Sequence, residues 1–419
     1  MIDIFKQLIV SNQERIQSVE LIERDIPIDL NASYVIVGPR RAGKTYFLYQ
    51  LIQKTFGNEQ SQRVLYINFE DERLLEITSK DLVLILDAYK ELFDNKPVIY
   101  FDEIQNVDNW QTYCRRLVDE GYQVYVTGSN TNMLSQEIAA TLGGRFFIKE
   151  IFPLSFVEYL MFHGIVINSH SQYSSNAPLI KRYFNDYLKY GGFPELIKYT
   201  DKRDYLNNLF KKVFYGDILV RYNLKNKKAL ELLVKKLAES VEDETSFNRM
   251  KNLLQSIGIK VSTNTIIDYL TYLKESYLVI PIQNIINKFS DREMKKKYYF
   301  IDVGLLNLFL LEDFGKLLEN LVFNELNRNN RETLMYYKRR TETDFFLPEQ
   351  ERLIQVSFDI SNTETRAREI KSLLTSMKDL KVEKGLILTQ HAAKEEFNHD
   401  NKKITIMPTW QWLLENNNW

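Results

Sequence analysis

Between residues 33 and about 152, short apolar runs alternate with longer stretches of helical period. The runs at 34–38, 64–69, 97–102, 122–128 and 146–151 are rich in β-branched and aromatic residues and are bounded by turn formers, which predicts buried strands. Between the first two, TYFLYQLIQKTF repeats its apolar positions at helical spacing. Strands joined through helices make a parallel sheet, so this part of the chain is α/β. Residues 1–32 read as a helix followed by a strand-like stretch, LIERDIPIDL.

Pro153 ends the last of these runs, and LSFVEYLMFHG opens a mostly helical section. The polar stretch 167–178 reads as a surface loop. Helical period resumes at 179 and pauses at the turn Gly191-Gly192-Phe193-Pro194. Over 246–280 the pattern is helix, turn, helix: MKNLLQSIGI stops near Gly258, and Ser262 or Thr263 caps TIIDYLTYLKESYLV. Strand-like VIPIQNI and KKYYFID then flank Lys295-Lys296-Lys297, in the manner of the wing of a winged helix. From 316 the order is helix, three strands, helix and further strands, a smaller α/β domain. The expected division is 1–152, 153–225, 226–303 and 304–419.

The length of 419 residues fits two to three domains. A net charge of −1 gives no support to a general polyanion binder, so any nucleic-acid surface must be a local patch. Arg292, Lys295 to Lys297 and the helix starting near Thr263 form such a candidate for duplex DNA, within 246–300; protein contact is the alternative for the same module. One cysteine, Cys114, excludes an intrachain disulfide and a cysteine-cluster zinc site. His163, His170, His391 and His399 show no i,i+4 metal pairing. No apolar run reaches ~18 residues and the first residues lack a signal-peptide pattern, so no membrane span and a cytoplasmic location are expected.

The chemistry is concentrated at strand ends. Tyr34-Val35-Ile36-Val37 leads into Gly38-Pro39-Arg40-Arg41-Ala42-Gly43-Lys44-Thr45, with Tyr46 following on the helix. This is G-x-x-x-x-G-K-T between a strand and a helix. The glycines let the backbone turn its N–H groups toward an anion, and the helix start adds the positive end of its dipole. Lys44 can reach the β- and γ-phosphates of ATP, and the Thr45 hydroxyl can ligate Mg²⁺. A second run, PVIYFDE, ends in two carboxylates that are costly to bury without a cation. Asp102 is the candidate metal holder and Glu103 the candidate base for the attacking water. A third run ends in Gly128-Ser129-Asn130, where open parallel sheets bind ligands, so Ser129 or Asn130 is a candidate γ-phosphate sensor. Arg145, after Gly143-Gly144, is either a charge-neutralising finger acting in trans or a structural ion-pair partner.

On these residues the chain resembles prokaryotic ATPases of the AAA+ superfamily that carry a C-terminal domain of unknown function, a group similar to the origin-recognition and STAND-type ATPases. The resemblance spans nearly the whole chain: GPRRAGKT, NFEDERL at 68–74, YFDEIQNVDNW at 100–110, VTGSN at 126–130, LGGRFFIKEIFPLSFVEYL at 142–160, YLKYGGFPE at 187–195, GDILVRY at 216–222, GKLLENLVFNEL at 315–326 and ETDFFL. It implies a P-loop AAA+-type sheet domain, a helical lid with a winged-helix region, and a C-terminal restriction-endonuclease-like α/β domain. It also implies that Pro194 of GGFP packs near the adenine. Nuclease folds of the PD-(D/E)xK type want an acid on the first helix, an Asp on a hairpin strand and E-x-K on the next, the carboxylates holding Mg²⁺. Glu319 and Asp344 fit, but the third element reads Gln355-Val356-Ser357, with a neutral ligand and no cation; Lys338 is the nearby substitute lysine. That site is therefore expected to be degenerate. The expected function is Mg²⁺-dependent ATP hydrolysis coupled to a conformational change in a C-terminal half that binds DNA or a protein partner, in a chain able to oligomerise. The alternatives are a STAND-like switch binding a protein partner and an ATP-controlled nuclease.

Overall fold

A computed structural model describes residues 1–57, 60–168, 170–311 and 313–415. The chain divides into two compact units, Met1–Phe152 and Pro153–Trp419.

The first unit is built on five strands: β1 (Ser33–Val37), β2 (Val64–Asn68), β3 (Val98–Asp102), β4 (Val124–Gly128) and β5 (Phe146–Glu150). They pair in parallel in the order β2-β3-β4-β1-β5. The first four strands are almost wholly buried, as expected of strands covered on both faces. In-register tyrosines cross the sheet as a row, Tyr34 opposite Tyr125 and Tyr100 opposite both Tyr125 and Tyr66. The Tyr34–Tyr125 and Tyr100–Tyr125 rings stack at 6.0 and 4.9 Å, pinning strand register through same-face neighbours. β5 is an edge strand, with Phe147 and Ile148 exposed. Because β4 stands between β1 and β3, the ends of three strands open on one side of the sheet.

The stretch expected as a strand at 21–30 forms no ladder. Pro27 removes a donor, and Leu21, Ile26 and Ile28 are used as plugs against the core over Tyr34, Ile36 and Tyr66.

The second unit holds a nine-stranded mixed sheet of β6 (Thr245–Ser246), β7 (Val279–Asn284), β8 (Lys295–Phe300), β9 (Met335–Lys338), β10 (Glu342–Leu347), β11 (Arg352–Val356), β12 (Lys384–Thr389), β13 (Glu395–His399) and β14 (Lys402–Pro408). Its order is β13-β14-β12-β11-β10-β9-β7-β8-β6. The two strands expected around the basic tract pair antiparallel as β7–β8, after the helices Phe247–Ser256 and Thr263–Glu275 in the chain. β7 also pairs with β9 in parallel, so strands on both sides of residue 303 share one sheet. Helix Thr363–Leu380 lies over β10 and β11, burying Leu373 and Met377 against Leu353 and Ile387. Among the described residues no helix is long and apolar enough to cross a membrane.

Candidate functional site

β1 delivers the chain to Gly38 at φ 154°, where a Cβ would stand 2.1 Å from the Ile151 carbonyl oxygen. Only glycine lets the loop run this close to the end of β5. Arg41 (φ 66°) and Gly43 (φ 96°) adopt left-handed turns, and the helix Lys44–Phe56 begins at once. A left-handed turn feeding a helix N-terminus presents backbone N–H groups to an anion. Ala42 N donates to the Pro39 carbonyl at 3.2 Å, Arg40 pairs with Glu70 at 2.8 Å, and Tyr46 is half exposed.

The two sequence motifs meet through four side chains. Lys44 is buried, and its ammonium donates to the Gly38 and Pro39 carbonyls at 3.1 and 3.2 Å while lying 3.5 Å from Glu103 Oε1. The Thr45 hydroxyl donates to Asp102 Oδ2 at 2.7 Å, as does Tyr66. Asp102 is fully buried, and Thr127 at the end of β4 donates to its other oxygen. Burial, and then repulsion from Glu103, push the Asp102 carboxyl above its ordinary value against these three hydroxyl donors. Glu103 goes the other way. Burial alone would raise it, but the Lys44 ammonium, Gln105 and Arg40 hold it below its ordinary value. Adjacent carboxyls are thus pushed apart, the pattern that separates acid–base roles. Glu103 itself sits at φ 53°, with its N–H held by Thr127 Oγ1 at 2.9 Å. A non-glycine residue there costs on the order of 1 kcal/mol or more, strain that is typical of functional sites.

Ser129 is buried, and its hydroxyl lies beside the Glu103 carboxylate without a hydrogen bond of good geometry. Asn130 is buried too, with Oδ1 capping the next turn by accepting from Asn132 N at 2.7 Å. Of the two sensor candidates, Ser129 is therefore the one beside the Glu103 carboxylate. Arg145 is part-exposed and ion-paired with Asp119.

A further residue, Arg24, holds the loop from behind. Its guanidinium donates to the Ala42 and Phe152 carbonyls, both at 3.0 Å. Gln50 in turn exchanges two hydrogen bonds of 2.9 Å with the Arg24 backbone. No side-chain motif announces Arg24, because its partners are backbone carbonyls far along the chain.

In the second unit, Pro194 opens a turn that follows helix Ala177–Tyr190. The preceding Gly191 (φ 78°) leaves no room for a Cβ, which would meet Asp302 Oδ1 at 2.0 Å. Asp302 accepts from Gly192 N and Gly304 N, both at 2.8 Å, and so pins the GGFP turn.

The nuclease-type residues do converge. Glu319, on helix Phe314–Asn330, and Asp344, on β10, lie 3.5 and 3.6 Å from one ammonium, that of Lys297. Glu342 is 2.9 Å from the same atom and also takes Lys338 at 2.6 Å. Gln355 Oε1 is buried without a partner, and Ser357 supplies no charge. The expected lack of a cation is thus corrected: Lys297 supplies one. It is fully buried, and therefore not the exposed wing lysine that the basic tract suggested. Its neighbours are also engaged, Lys296 with Glu293 at 2.9 Å, Lys295 with Asp291 at 3.6 Å, and Arg292 with the Ile285 and Asn287 carbonyls.

Residues 31–160 match the family described as AAA domain, residues 181–314 and 314–412 two families described as domains of unknown function, DUF8612 and DUF4143. Uncharacterized protein MJ1544 of Methanocaldococcus jannaschii is 36% identical over 426 residues, covering 98% of this chain and 95% of the relative. The chain belongs to the MJ1544 family of AAA-domain proteins. A Haemophilus influenzae protein is 28% identical over 91% of this chain and 94% of its own length. Among solved structures, the Walker-type ATPase PABY2304 of Pyrococcus abyssi covers 66% of this chain and 90% of its own, at 12% identity and a TM-score of 0.42.

In this MJ1544-family chain the AAA match contains every residue of the loop and of the two strand ends described above. Arg24 lies before the matched region, and Lys297 and Glu319 fall on opposite sides of a boundary between matched families.

Proposed function

We propose that the first unit binds ATP with Mg²⁺ and hydrolyses it, and that turnover drives a conformational change in a partner-binding second unit. The observation that carries this reading is the convergence of Lys44, Thr45, Asp102 and Glu103 within hydrogen-bond or ion-pair distance. Thr45 and Asp102 present hard oxygen donors 2.7 Å apart, few enough to suit an ion that keeps water and phosphate ligands. Mg²⁺ held there would neutralise charge on the β- and γ-phosphates. Lys44 is placed to exchange the Gly38 and Pro39 carbonyls for phosphate oxygens. Glu103, held in its ionised form, accepts the proton of the attacking water. Ser129, beside the Glu103 carboxylate, is the candidate to meet a γ-phosphate oxygen.

The burial of Lys297 and the binding of Arg292 to the Ile285 and Asn287 carbonyls take two of the four basic candidates in the 246–300 region away from a phosphate backbone, which favours a protein partner over duplex DNA. The test is ATP hydrolysis with and without duplex DNA, beside a Lys44→Ala control. The proposal expects activity in the wild type, none in the control and no stimulation by DNA. Equal turnover in wild type and control would remove the phosphate-loop assignment, and strong stimulation by DNA would reinstate a DNA partner.

A further inference from the structure

Lys297 is the least expected feature of the second unit. It ends a run of three lysines, a composition that normally marks a solvated surface. Strand geometry and pairing turn it inward instead. β8 pairs with β7 on one side and β6 on the other, and its exposure falls from Lys295 to a fully buried Lys297. Burying an ammonium is costly unless carboxylates surround it. Here Glu342, Glu319 and Asp344 do so at 2.9, 3.5 and 3.6 Å, from β10 and the helix Phe314–Asn330. Tyr299, two residues on, donates to Glu319 Oε1 at 2.5 Å, and Val356 N donates to Asp344 Oδ2 at 2.8 Å. The Tyr336 ring faces the same ammonium at 5.4 Å.

Two of these carboxylates, Glu319 and Asp344, are the ones a nuclease-type fold would aim at a divalent ion. The residues present do not fit that ion. Lys297 Nζ already stands between Glu319 and Asp344, and among the described residues no group of three His, Cys, Asp or Glu is arranged to hold a metal. We propose that Lys297 is the resident cation of this carboxylate cluster, taking the place of a divalent metal, and that the cluster becomes a divalent-cation site only when the ammonium is removed.

Geometry supports the exchange: one ammonium faces all three carboxylates, and Glu342 alone has a second, Lys338 at 2.6 Å. Trimming Lys297 to alanine would leave Glu319, Glu342 and Asp344 without the ammonium they now face, three oxygen donors that Mn²⁺ or Mg²⁺ can draw together. The inference also explains why an E-x-K triplet is not needed here: the positive charge arrives from β8 rather than from β11.

Mn²⁺ bound per chain, read from the free-ion paramagnetic resonance signal of nucleotide-free full-length protein, tests this. Wild type and Asp344→Asn are expected to bind equal amounts. Lys297→Ala is expected to bind one more ion per chain, and Lys297→Ala with Asp344→Asn to lose it again. The proposal is overturned if wild type loses an ion on Asp344→Asn, or if folded Lys297→Ala binds no more than wild type. Should Lys297→Ala not fold, the comparison of wild type with Asp344→Asn still decides whether a metal already occupies the cluster.

Discussion

The hydroxyl of Thr45 donates to Asp102 Oδ2 across 2.7 Å, tying the first residue pair of the P-loop helix to the end of β3. This bond joins two segments 57 residues apart. It also gives a deeply buried carboxylate one of its three hydroxyl donors. Thr45→Val removes the donor and the proposed metal ligand together, at a cost of roughly 1–3 kcal/mol for a carboxylate left short of a partner. The expected outcome is a lower melting temperature and a higher Mg²⁺ requirement for ATP turnover. Asp102→Asn should shift the Mg²⁺ requirement in the same direction. An unchanged Mg²⁺ titration in both variants would exclude this pair as the metal holder.

Arg24 is expected to control loop geometry without touching nucleotide. Arg24→Met keeps much of the side-chain volume but leaves the Ala42 and Phe152 carbonyls without their 3.0 Å donors. Unsatisfied buried carbonyls cost about 1–3 kcal/mol each. ATP affinity and melting temperature should fall together in equilibrium binding and calorimetry. Retention of both would show that the loop is held by other means.

Asp302 sets a pH dependence in the second unit. Burial raises its carboxyl from 3.8 to about 6, although Gly192, Gly304 and Leu305 N–H groups oppose the shift. An acid raised on folding binds its proton more tightly folded than unfolded, so its contribution to stability falls as pH rises from about 4 to about 6. The stability difference between wild type and Asp302→Ala, from urea unfolding, should therefore shrink across that window and level off above it. A difference that is flat or growing over the same range would contradict the assignment.

Strands β1, β3 and β4 of the first sheet were legible because each is a buried apolar run that ends in residues with a chemical task. Asp102 and Glu103 stand out at the end of PVIYFDE for that reason. The edge strand β13, EEFNH, gave no such signal, since a strand with one paired neighbour can stay polar. The stretch at 21–30 misled for the opposite reason: its apolar residues plug the core from an unpaired segment. Glu319 and Asp344 were recognisable, but their cation was not. Lys297 reads as one of three surface lysines until the pairing of β8 fixes which face it takes, and that depends on partners 22 to 47 residues further on.

Arg145 is expected to be structural. Its ion pair with Asp119 lies at the surface, where such pairs contribute ~0–1 kcal/mol. Turnover per chain should be independent of protein concentration and little changed in Arg145→Ala. A rise with concentration that Arg145→Ala abolishes, and that mixing with Lys44→Ala partly restores, would establish the finger role in trans instead.

The central claim is that Glu103 is the base of an ATP-hydrolysing site. Single-turnover hydrolysis by Glu103→Gln at saturating ATP and Mg²⁺ tests it most directly. The amide keeps size and polarity but cannot accept the water's proton, so the rate should fall by ~10²–10⁴, with ATP still bound as in wild type. A Glu103→Gln protein that cleaves ATP at the wild-type rate would contradict the account.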